Sequence, residues 1–595
     1  MSGTGTEAAA LPAGRAAPAP RRMRPDALWL ALPGTLVLLA LLVFPSLKLL
    51  ALSLVQNGGD TFSLAAFERF FGPSVYRRVL GTTFAVALQT TLWCLACGYP
   101  LAYWLARLPA RRQQAVALLV LLAFWTSALV KNFAWLVLLG RNGFVSQLMQ
   151  ALGLPGGEHL LFNRAVVVFA ISHTLLPLAV VTMLPVMNQV DARCASAAAT
   201  LGADRAQVFW RVFFPLSMRG VAAAGLLVFI SALGFFITPT LLGSPREMML
   251  GQLIILQINE MQNWQLGSAL AVVLVLTALL CCVAYDLVFG LSSLAGAAGG
   301  GRSARHRRLH RLGIGLANLL GSASSRLLRL YRRQPLRLPL LPAYSVLLIA
   351  VLLFPIVAVV PMAFTSGTFL SFPPKGFSLQ WFAAYFDSQL WMTATVRSFG
   401  IGIAAALATG ALATAAALAV ARSASRLRGT VFLLFLTPMI VPSIVIAIAL
   451  FYLCARFGLV ATNLGIVLGH VVIAMPIMFV ILLSTFKGHD WGLDDAAATL
   501  GAGRAQVLRR VTLPLVKGGL AAALVIGFLT SFEELTVALF IGGGLKSTLP
   551  KQMWSDILLQ ATPTLAAAST VVLFVVTLLF LAIQWLRPRG GRAQA

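Results

Sequence analysis

Cysteine and histidine are the residue types in this chain that most directly suggest chemistry. Cys94 and Cys97 form a C-x-x-C pattern and Cys281 and Cys282 are adjacent, arrangements that in other proteins serve redox or metal chemistry. All four lie in long apolar stretches, so we interpret them as small apolar residues that pack between helices. The six histidines form no metal-binding constellation; they are His159, His173, His306, His310, His470 and His489. The sequence therefore predicts no metal site and no catalytic residue.

ATP hydrolysis would require a phosphate-cradling loop of the pattern GxxxxGK[ST] after a strand. The nearest approach is GGGLKST at 542–548, where Leu545 stands in place of the required glycine. This segment also falls on the predicted outer side of the membrane. We expect no ATPase site and no cofactor in this chain, so any ATP and Mg²⁺ would be used by partner subunits.

Two adjacent acids, Glu533 and Glu534, lie in the apolar run SFEELTVALFI. A charge at the centre of a membrane span costs about 2.5–3.5 kcal/mol on insertion scales, so such residues usually face protein or water. Neighbours on a helix point about 100° apart, so at most one of the two can face a pore. Two interpretations stay open. The acids tie helices together near the repeated cytoplasmic loop described below, or one of them helps to pass a cationic substrate.

Long apolar stretches must position these residues. The chain is 59% hydrophobic and 10% charged, with a mean hydropathy of +0.89, which is typical of a polytopic membrane protein. A span needs roughly 20 mostly apolar residues. Twelve such stretches are predicted, near 28–55, 79–106, 115–139, 165–187, 220–243, 266–294, 341–366, 393–421, 430–455, 462–486, 518–541 and 563–586. The predicted fold class is an all-α polytopic membrane protein with twelve transmembrane helices.

The positions of the basic residues predict the topology. If the N-terminus is cytoplasmic, 32 of the 45 Lys and Arg residues fall in cytoplasmic segments, which is the positive-inside bias and places both termini in the cytoplasm. The net charge of +28 therefore needs no nucleic-acid partner, since no basic stripe interleaved with aromatic residues accompanies it. Residues 1–25 are predicted to be a disordered cytoplasmic tail, because the apolar stretch after them is too long for a signal peptide. Residues 587–595 form a basic C-terminal tail.

An internal repeat divides the chain. Residues 197–216 (AAATLGADRAQVFWRVFFPL) and 496–515 (AAATLGAGRAQVLRRVTLPL) align without a gap, with fifteen of twenty positions identical. Each segment lies between the fourth and fifth apolar stretches of its half. We predict two homologous six-span halves, 26–294 and 341–586, which keep the same orientation because six is even.

The segment between the halves, residues 295–340, holds ten arginines, two histidines and no acidic residue. We predict a cytoplasmic tether that lies on anionic lipid headgroups, where each basic residue gains about 1 kcal/mol. His306 and His310 are four residues apart and could share a metal on a helix face, but a solvated basic linker is the favoured interpretation.

Each repeated loop is predicted to form a helix, a turn and a second helix. We call residues 191–219 the first repeated loop and residues 487–517 the second. A run of alanines ends at Gly202 or Gly501, where glycine permits a sharp turn. A polar-faced stretch then runs to Pro215 or Pro514, which is expected to stop the second helix before the next span. A surface with small apolar and polar faces can dock into a groove of another protein.

These residues resemble the EAA loop of ABC importer permeases. Both copies keep the family's spacing from glycine to proline, and an acidic residue precedes each aligned segment, Asp191 in the first and Asp494 in the second. In that family the loop is the coupling helix that docks into the ATPase subunit. The position of the family's glutamate is Ser196 in the first copy and Asp495 in the second, so the two ATPase contacts need not be equivalent. The resemblance assigns ATPase coupling to Ser196, Ala197, Ala198, Gly202, Arg205, Pro215, Asp495, Ala496, Ala497, Gly501, Arg504 and Pro514.

Further segments narrow the resemblance to permeases of the spermidine/putrescine type. They are WTSALVKNFAWLVLLGRNGFV at 125–145, TPTLLGSPREMMLGQLI at 238–254, NWQLGSALA at 263–271 and SFEELTVALFIGGGLKSTLPKQMWSDI at 531–557. The first half resembles one member of the permease pair and the second half the other, so the chain looks like a fused permease of the bacterial inner membrane. The resemblance implies two copies of a cytoplasmic ATPase, a periplasmic binding protein and a polyamine substrate. Related branches import ferric iron or aminoethylphosphonate.

A secondary transporter is the main alternative, because such carriers also show twelve spans in two parallel halves. A proton- or ion-driven carrier usually needs a buried titratable relay, and the intramembrane carboxylates here are few. The repeated loops would also have no purpose in such a carrier. A polytopic membrane enzyme is disfavoured because the histidines form no constellation for chemistry.

Overall fold

The computed structural model describes residues 27–55, 61–72, 74–153, 160–289, 339–544 and 546–586. Several predictions fall outside the described residues. They concern both predicted tails, residues 295–338 of the predicted linker, and His159, His306 and His310. Within the described part the chain is helical, apart from turns and two isolated bridges, Val55 with Phe62 and Thr365 with Phe377. The predicted all-α class is confirmed.

The first half forms these helices: α1 (Ala27–Ser53), α2 (Ala65–Phe71), α3 (Ser74–Ala106), α4 (Ala110–Trp125), α5 (Ala128–Leu138), α6 (Phe144–Ala151), α7 (Arg164–Asn188), α8 (Ala192–Thr200), α9 (Arg205–Leu233), α10 (Ile237–Leu242), α11 (Leu250–Ile255) and α12 (Trp264–Phe289). The second half forms α13 (Leu340–Ala363), α14 (Gln380–Asp387), α15 (Gln389–Arg422), α16 (Arg428–Ile440), α17 (Ser443–Arg456), α18 (Asn463–Lys487), α19 (Trp491–Thr499), α20 (Arg504–Phe532), α21 (Thr536–Ile541), α22 (Leu549–Leu559) and α23 (Pro563–Leu586). Apart from α6, each helix of the first half has a counterpart in the second.

The two halves share local details as well as helix order. In the first half, Thr83 Oγ1 on α3 accepts a hydrogen bond from Leu250 N, the first N–H of α11, at 2.8 Å. In the second half, Ser398 Oγ on α15 accepts one from Leu549 N, the first N–H of α22, at 2.7 Å. The residue two positions before α7 or α18 has a positive φ, 60° at Phe162 and 57° at Ala461, which is uncommon outside glycine. Such matched features support the predicted duplication.

The third predicted span of each half is broken. α4 and α5 are bent by 86° at Thr126 and Ser127, and α16 and α17 by 99° at Val441 and Pro442. Among the described residues, ten helices are long and apolar enough to cross a membrane, or up to twelve if each bent pair is one span, which agrees with the predicted number. The two bends were not predicted, because apolar composition alone does not register a bend.

The fifth predicted span of each half is shifted. The stretches 220–243 and 518–541 were expected to be continuous, but α9 ends at Leu233 and α20 at Phe532, and a short helix follows after a break. At the other end these helices begin earlier than expected, at Arg205 and Arg504. Pro215 and Pro514 therefore do not stop a helix. A π-helical turn precedes each proline, and each proline stands at the start of the following α-helical stretch, where its missing N–H is tolerated.

Three helices form the centre of each half: α3, α7 and α9 pack on one another, as do α15, α18 and α20. The first helix of each half crosses to the other half. α1 packs on α15, α16 and α17, and α13 packs on α3, α4 and α5. Gly34 permits close approach in the first case, because a Cβ there would lie 2.7 Å from Phe435 Cζ. In the second case the Tyr344 hydroxyl donates to the Cys97 carbonyl oxygen at 3.0 Å.

Candidate functional site

Both repeated loops fold as the predicted helix, turn and helix. α8 ends in a Schellman motif in which Ala203 N donates to the Ala198 carbonyl oxygen at 3.0 Å and Gly202 has φ of +84°. α19 ends in the same way, with Ala502 N donating to the Ala497 oxygen at 3.1 Å and φ of +89° at Gly501. The left-handed conformation is what requires glycine at these two positions. The predicted hairpins are thus confirmed as structures.

An aspartate caps the first helix of each loop. Asp191 accepts a hydrogen bond from Arg193 N at 2.8 Å, and Asp490 accepts one from Gly492 N at 2.9 Å. The counterpart of Asp191 is therefore Asp490. The prediction that Asp191 and Asp494 are equivalent residues before the two loops is wrong, because Asp494 lies one turn further along α19 and is buried.

A leucine stands at the tip of each loop with almost its whole surface free. Leu201 is 88% exposed and Leu500 is 89% exposed, and each directly precedes the turn glycine. Most residues that the sequence assigns to ATPase coupling are exposed as well; they are Ser196, Ala197, Gly202, Arg205 and Pro215 in the first loop, and Asp495, Ala496, Gly501, Arg504 and Pro514 in the second. Ala198 and Ala497 are half-buried. The near-complete exposure of the two leucines was not predicted from the sequence.

Aromatic side chains attach the first loop to its half. The rings of Tyr99 and Tyr103 on α3 pack edge-on against Phe209, with ring centroids 6.1 Å and 5.0 Å apart. Tyr103 also contacts Phe213 at 4.9 Å. Tyr99 Oη lies 2.9 Å from Ser217 Oγ, so a hydrogen bond reinforces the contact. The π-helical turn near the start of α9 is thus held to the C-terminal end of α3 by ring packing.

Polar side chains attach the second loop. Asp494 Oδ1 lies 2.9 Å from His489 Nε2, and Asp494 Oδ2 accepts from Thr512 Oγ1 at 2.9 Å. The His489 and Asp494 side chains are only 3% and 4% exposed. The guanidinium of Arg422 lies over the Trp491 ring, 4.7 Å from its centroid. The first loop has no such network at the aligned positions, which are Val190, Ala195 and Phe213.

Glu533 and Glu534 lie at the break between α20 and α21. Glu533 is the residue that ends α20, and Glu534 Oε2 accepts a hydrogen bond from Val537 N at 3.3 Å, so it caps the start of α21. The two acids therefore do not share one continuous helix, as the 100° argument assumed. They also stand at the end of α20 opposite the second repeated loop, so the expectation that they lie near that loop is wrong. The stretch Leu513–Phe532 of α20 has 20 residues, about 30 Å of helix, and lies between the two acids and the turn of that loop.

Lys131 lies across the interface between the halves from Glu533. It is 2% exposed, and its Nζ donates to the Ala123 carbonyl oxygen at 3.0 Å, at the bend between α4 and α5. The Lys131 ammonium and the Glu533 carboxylate interact electrostatically. Sequence reasoning noted Lys131 only as a charge inside a span. Its isolation within the apolar run at 125–145 was the available signal.

Cys94 and His470 make contacts between helices. Among the described residues no group of three or more His, Cys, Asp or Glu side chains could hold a metal ion. Cys94 is buried and its Sγ lies 3.4 Å from the Ser172 carbonyl oxygen. His470 Nδ1 lies 2.6 Å from Ser531 Oγ and ties α18 to α20. The GGGLKST segment connects α21 to α22 and, in its described residues, follows a helix rather than a strand.

Comparison with known proteins decides the family. The model of a family described as "Binding-protein-dependent transport system inner membrane component" matches residues 98–293 and 411–591. The chain belongs to this family. One match falls in each half, so the permease is a fused, multi-pass inner-membrane component of an ABC importer, as its sequence predicts. Membership implies a cytoplasmic ATPase and a periplasmic binding protein as partners.

Individual relatives each cover less than half of the permease. It is 30% identical over 247 residues to the spermidine/putrescine transport system permease protein PotB of Escherichia coli strain K12, which is 40% of this chain and 89% of PotB. It is 27% identical over 237 residues to PotC of the same strain, again 40% of this chain and 89% of the relative. A solved bacterial alginate ABC transporter chain aligns with a TM-score of 0.39 and 17% identity, over 45% of this chain and 94% of that chain.

Proposed function

We propose that the permease forms the translocation path for a small organic cation, with putrescine and spermidine as the first candidates. The observation that carries the proposal is the pair of carboxylates at the break between α20 and α21. Glu534 is 8% exposed, and Glu533 Oε1 is buried without a hydrogen-bond partner among the described residues. A buried acceptor that lacks a partner is costly, so its retention favours a cationic ligand.

Helix polarity adds to the attraction for a cation. Glu533 stands at the carboxyl end of α20, where the partial negative charge of the helix end adds to that of the carboxylate. The aligned residues of the first half are Gly234 and Phe235, so the attraction comes from one side of the path. The relatives PotB and PotC are spermidine/putrescine permeases by name, which agrees with this chemistry.

Two other substrate classes remain candidates within the same transporter class. Ferric iron is a hard cation that also suits carboxylate oxygens. Aminoethylphosphonate carries a phosphonate that Glu533 and Glu534 would repel, which ranks it below the two cations. The family match speaks against the secondary transporter, and two acids alone do not form a relay across the membrane.

The two repeated loops are proposed to dock two copies of the ATPase on the cytoplasmic side. An exposed leucine on a rigid helical hairpin is a surface that a groove in a partner can bury. The proposal includes both termini and the linker 295–340 on the cytoplasmic side, with 26–294 and 341–586 as the two permease domains. Asp495 adds a charge to the second docking surface that Ser196 does not supply to the first.

Reconstitution of the permease with its ATPase and binding protein tests the substrate. Putrescine or spermidine should stimulate ATP hydrolysis, and ferric iron and aminoethylphosphonate should not. Glu533→Gln and Glu534→Gln should each lower polyamine uptake while assembly and basal hydrolysis stay unchanged. Glu260→Gln is the matched control, because Glu260 is exposed. Undiminished uptake in both single variants and in the double variant would exclude the acids from the path.

A further inference from the structure

The buried face of α5 carries polar atoms that the proposed path does not yet use. Within the described part of the chain, Asn132 Oδ1, Trp135 Nε1 and His173 Nδ1 are buried without hydrogen-bond partners, as is Glu533 Oε1. More than nine in ten buried polar groups in proteins are paired. The Trp135 and His173 rings touch, with centroids 5.4 Å apart, and Lys131 interacts electrostatically with both His173 and Glu533. Unpaired polar atoms on the helix of Lys131, and on two groups that interact with Lys131, point to a ligand.

Lys131 has two partners of different kinds. The Ala123 carbonyl oxygen is close to the end of α4, where the bend leaves helical carbonyls without their usual donors, so the ammonium caps that helix. The Glu533 carboxylate belongs to the other half. The ammonium can therefore give up its interaction with Glu533 and still keep a hydrogen bond to its own half.

We propose that Lys131 is an internal cation that neutralises Glu533 when the path is empty, and that an ammonium group of the substrate replaces it during transport. This inference rests on the proposed passage of an organic cation. The substrate ammonium would meet the Glu533 carboxylate, the Asn132 amide oxygen and the face of the Trp135 ring, which are the groups that bind ammonium ions in proteins.

The replacement would select for charge. Exchange of one ammonium for another leaves Glu533 neutralised at every stage, and the displaced Lys131 ammonium keeps its hydrogen bond to the Ala123 carbonyl oxygen. A neutral solute cannot take the place of Lys131, and an anion would face both Glu533 and Glu534. The same exchange would loosen the contact between the halves at the moment when the substrate arrives.

Equilibrium binding tests the inference. Radiolabelled putrescine is titrated against the nucleotide-free complex in lipid nanodiscs, without the binding protein. Lys131→Met should tighten binding by roughly tenfold or more, the lower end of the coupling measured for close charge pairs. Lys131→Arg keeps the internal cation and should bind as the wild type does. Glu533→Gln should abolish binding, alone or combined with Lys131→Met.

Lys48→Met is the matched control, since Lys48 also lies in a span but is exposed. Gel filtration and melting of each complex separate a folding defect from a binding effect. Glu533→Lys combined with Lys131→Glu should restore assembly that either single change lowers.

If wild-type uptake of putrescine is intact and Lys131→Met binds it no more tightly, Lys131 is only a helix cap and the inference fails alone. If no polyamine stimulates the wild-type complex, the substrate class is wrong and the inference fails with it.

Discussion

At the scale of single residues, the turn glycines of the two repeated loops are the most constrained positions. A left-handed conformation costs a residue with a Cβ roughly 1–2 kcal/mol. Gly202→Ala and Gly501→Ala should therefore disturb the hairpin and lower substrate-stimulated ATP hydrolysis in the reconstituted complex. No atom lies within 4 Å of a Cβ built at either glycine, so the effect comes from the backbone and not from a clash.

Gly429→Ala is the control for this prediction. Gly429 lies in helix α16, and a Cβ there also meets nothing within 4 Å, so alanine should be tolerated. Asparagine accepts the left-handed conformation more readily than alanine. Gly202→Asn and Gly501→Asn should accordingly retain more activity, and equal loss with alanine and asparagine would contradict the backbone argument.

The exposed leucines at the tips should contribute most of the docking energy. Full burial of a leucine contributes about 1.5–3 kcal/mol, whereas an aspartate would have to be desolvated at the same contact. Leu201→Asp or Leu500→Asp should weaken binding of the ATPase at least tenfold, measured by co-purification and by titration of the purified ATPase. Leu427→Asp, at a leucine that is 62% exposed in another predicted cytoplasmic loop, should leave binding unchanged. Normal ATPase binding with both tip leucines replaced would locate the docking surface elsewhere.

At the scale of elements, the two repeated loops are held by different chemistry, and the second should be the more sensitive to loss of a charge. Asp494→Ala leaves His489 and Thr512 without their partner in a buried place, which costs about 1–3 kcal/mol for each unsatisfied group. Faster amide hydrogen exchange across 489–512 and more ATP consumed per substrate imported are the expected results.

Asp490→Ala provides the comparison, since it removes only an exposed helix cap worth about 1 kcal/mol. Its effect on exchange should be confined to the first turn of α19. Should Asp494→Ala and Asp490→Ala behave alike, the buried network would have no special part in holding the loop.

Sequence reasoning reached the repeated loops because their signals are local. A glycine at a fixed distance from a proline, repeated in both halves, predicts a hairpin without knowledge of the rest of the fold. The bends at Ser127 and Pro442 and the breaks at Gly234 and Glu533 were missed, because an apolar run looks the same whether it is straight or broken. The partnership of Lys131 with Glu533 joins residues some 400 positions apart in the sequence, and only the packing of the halves brings them together.

At the scale of the whole molecule, the halves hold each other through their first helices. Because α1 packs on the second half and α13 on the first, assembly does not depend on the covalent connection. Co-expression of residues 1–310 with 325–595 should therefore restore transport. The same fragments without residues 1–55 should fail to co-purify, since α15, α16 and α17 would lose the helix that covers them. Failure of the two complete fragments, each stably inserted, would show that the linker does more than join the halves.

The crossing of the first helices also imposes an order on synthesis. α1 ends at Ser53 and its partner α15 begins at Gln389, so at about 5–20 residues per second the ribosome needs roughly 15–70 s to deliver that partner. During this time α12 of the same half already packs on α1, but the surface of α1 that faces the second half has no protein partner. A chain that stops before α15 leaves that surface exposed to lipid permanently.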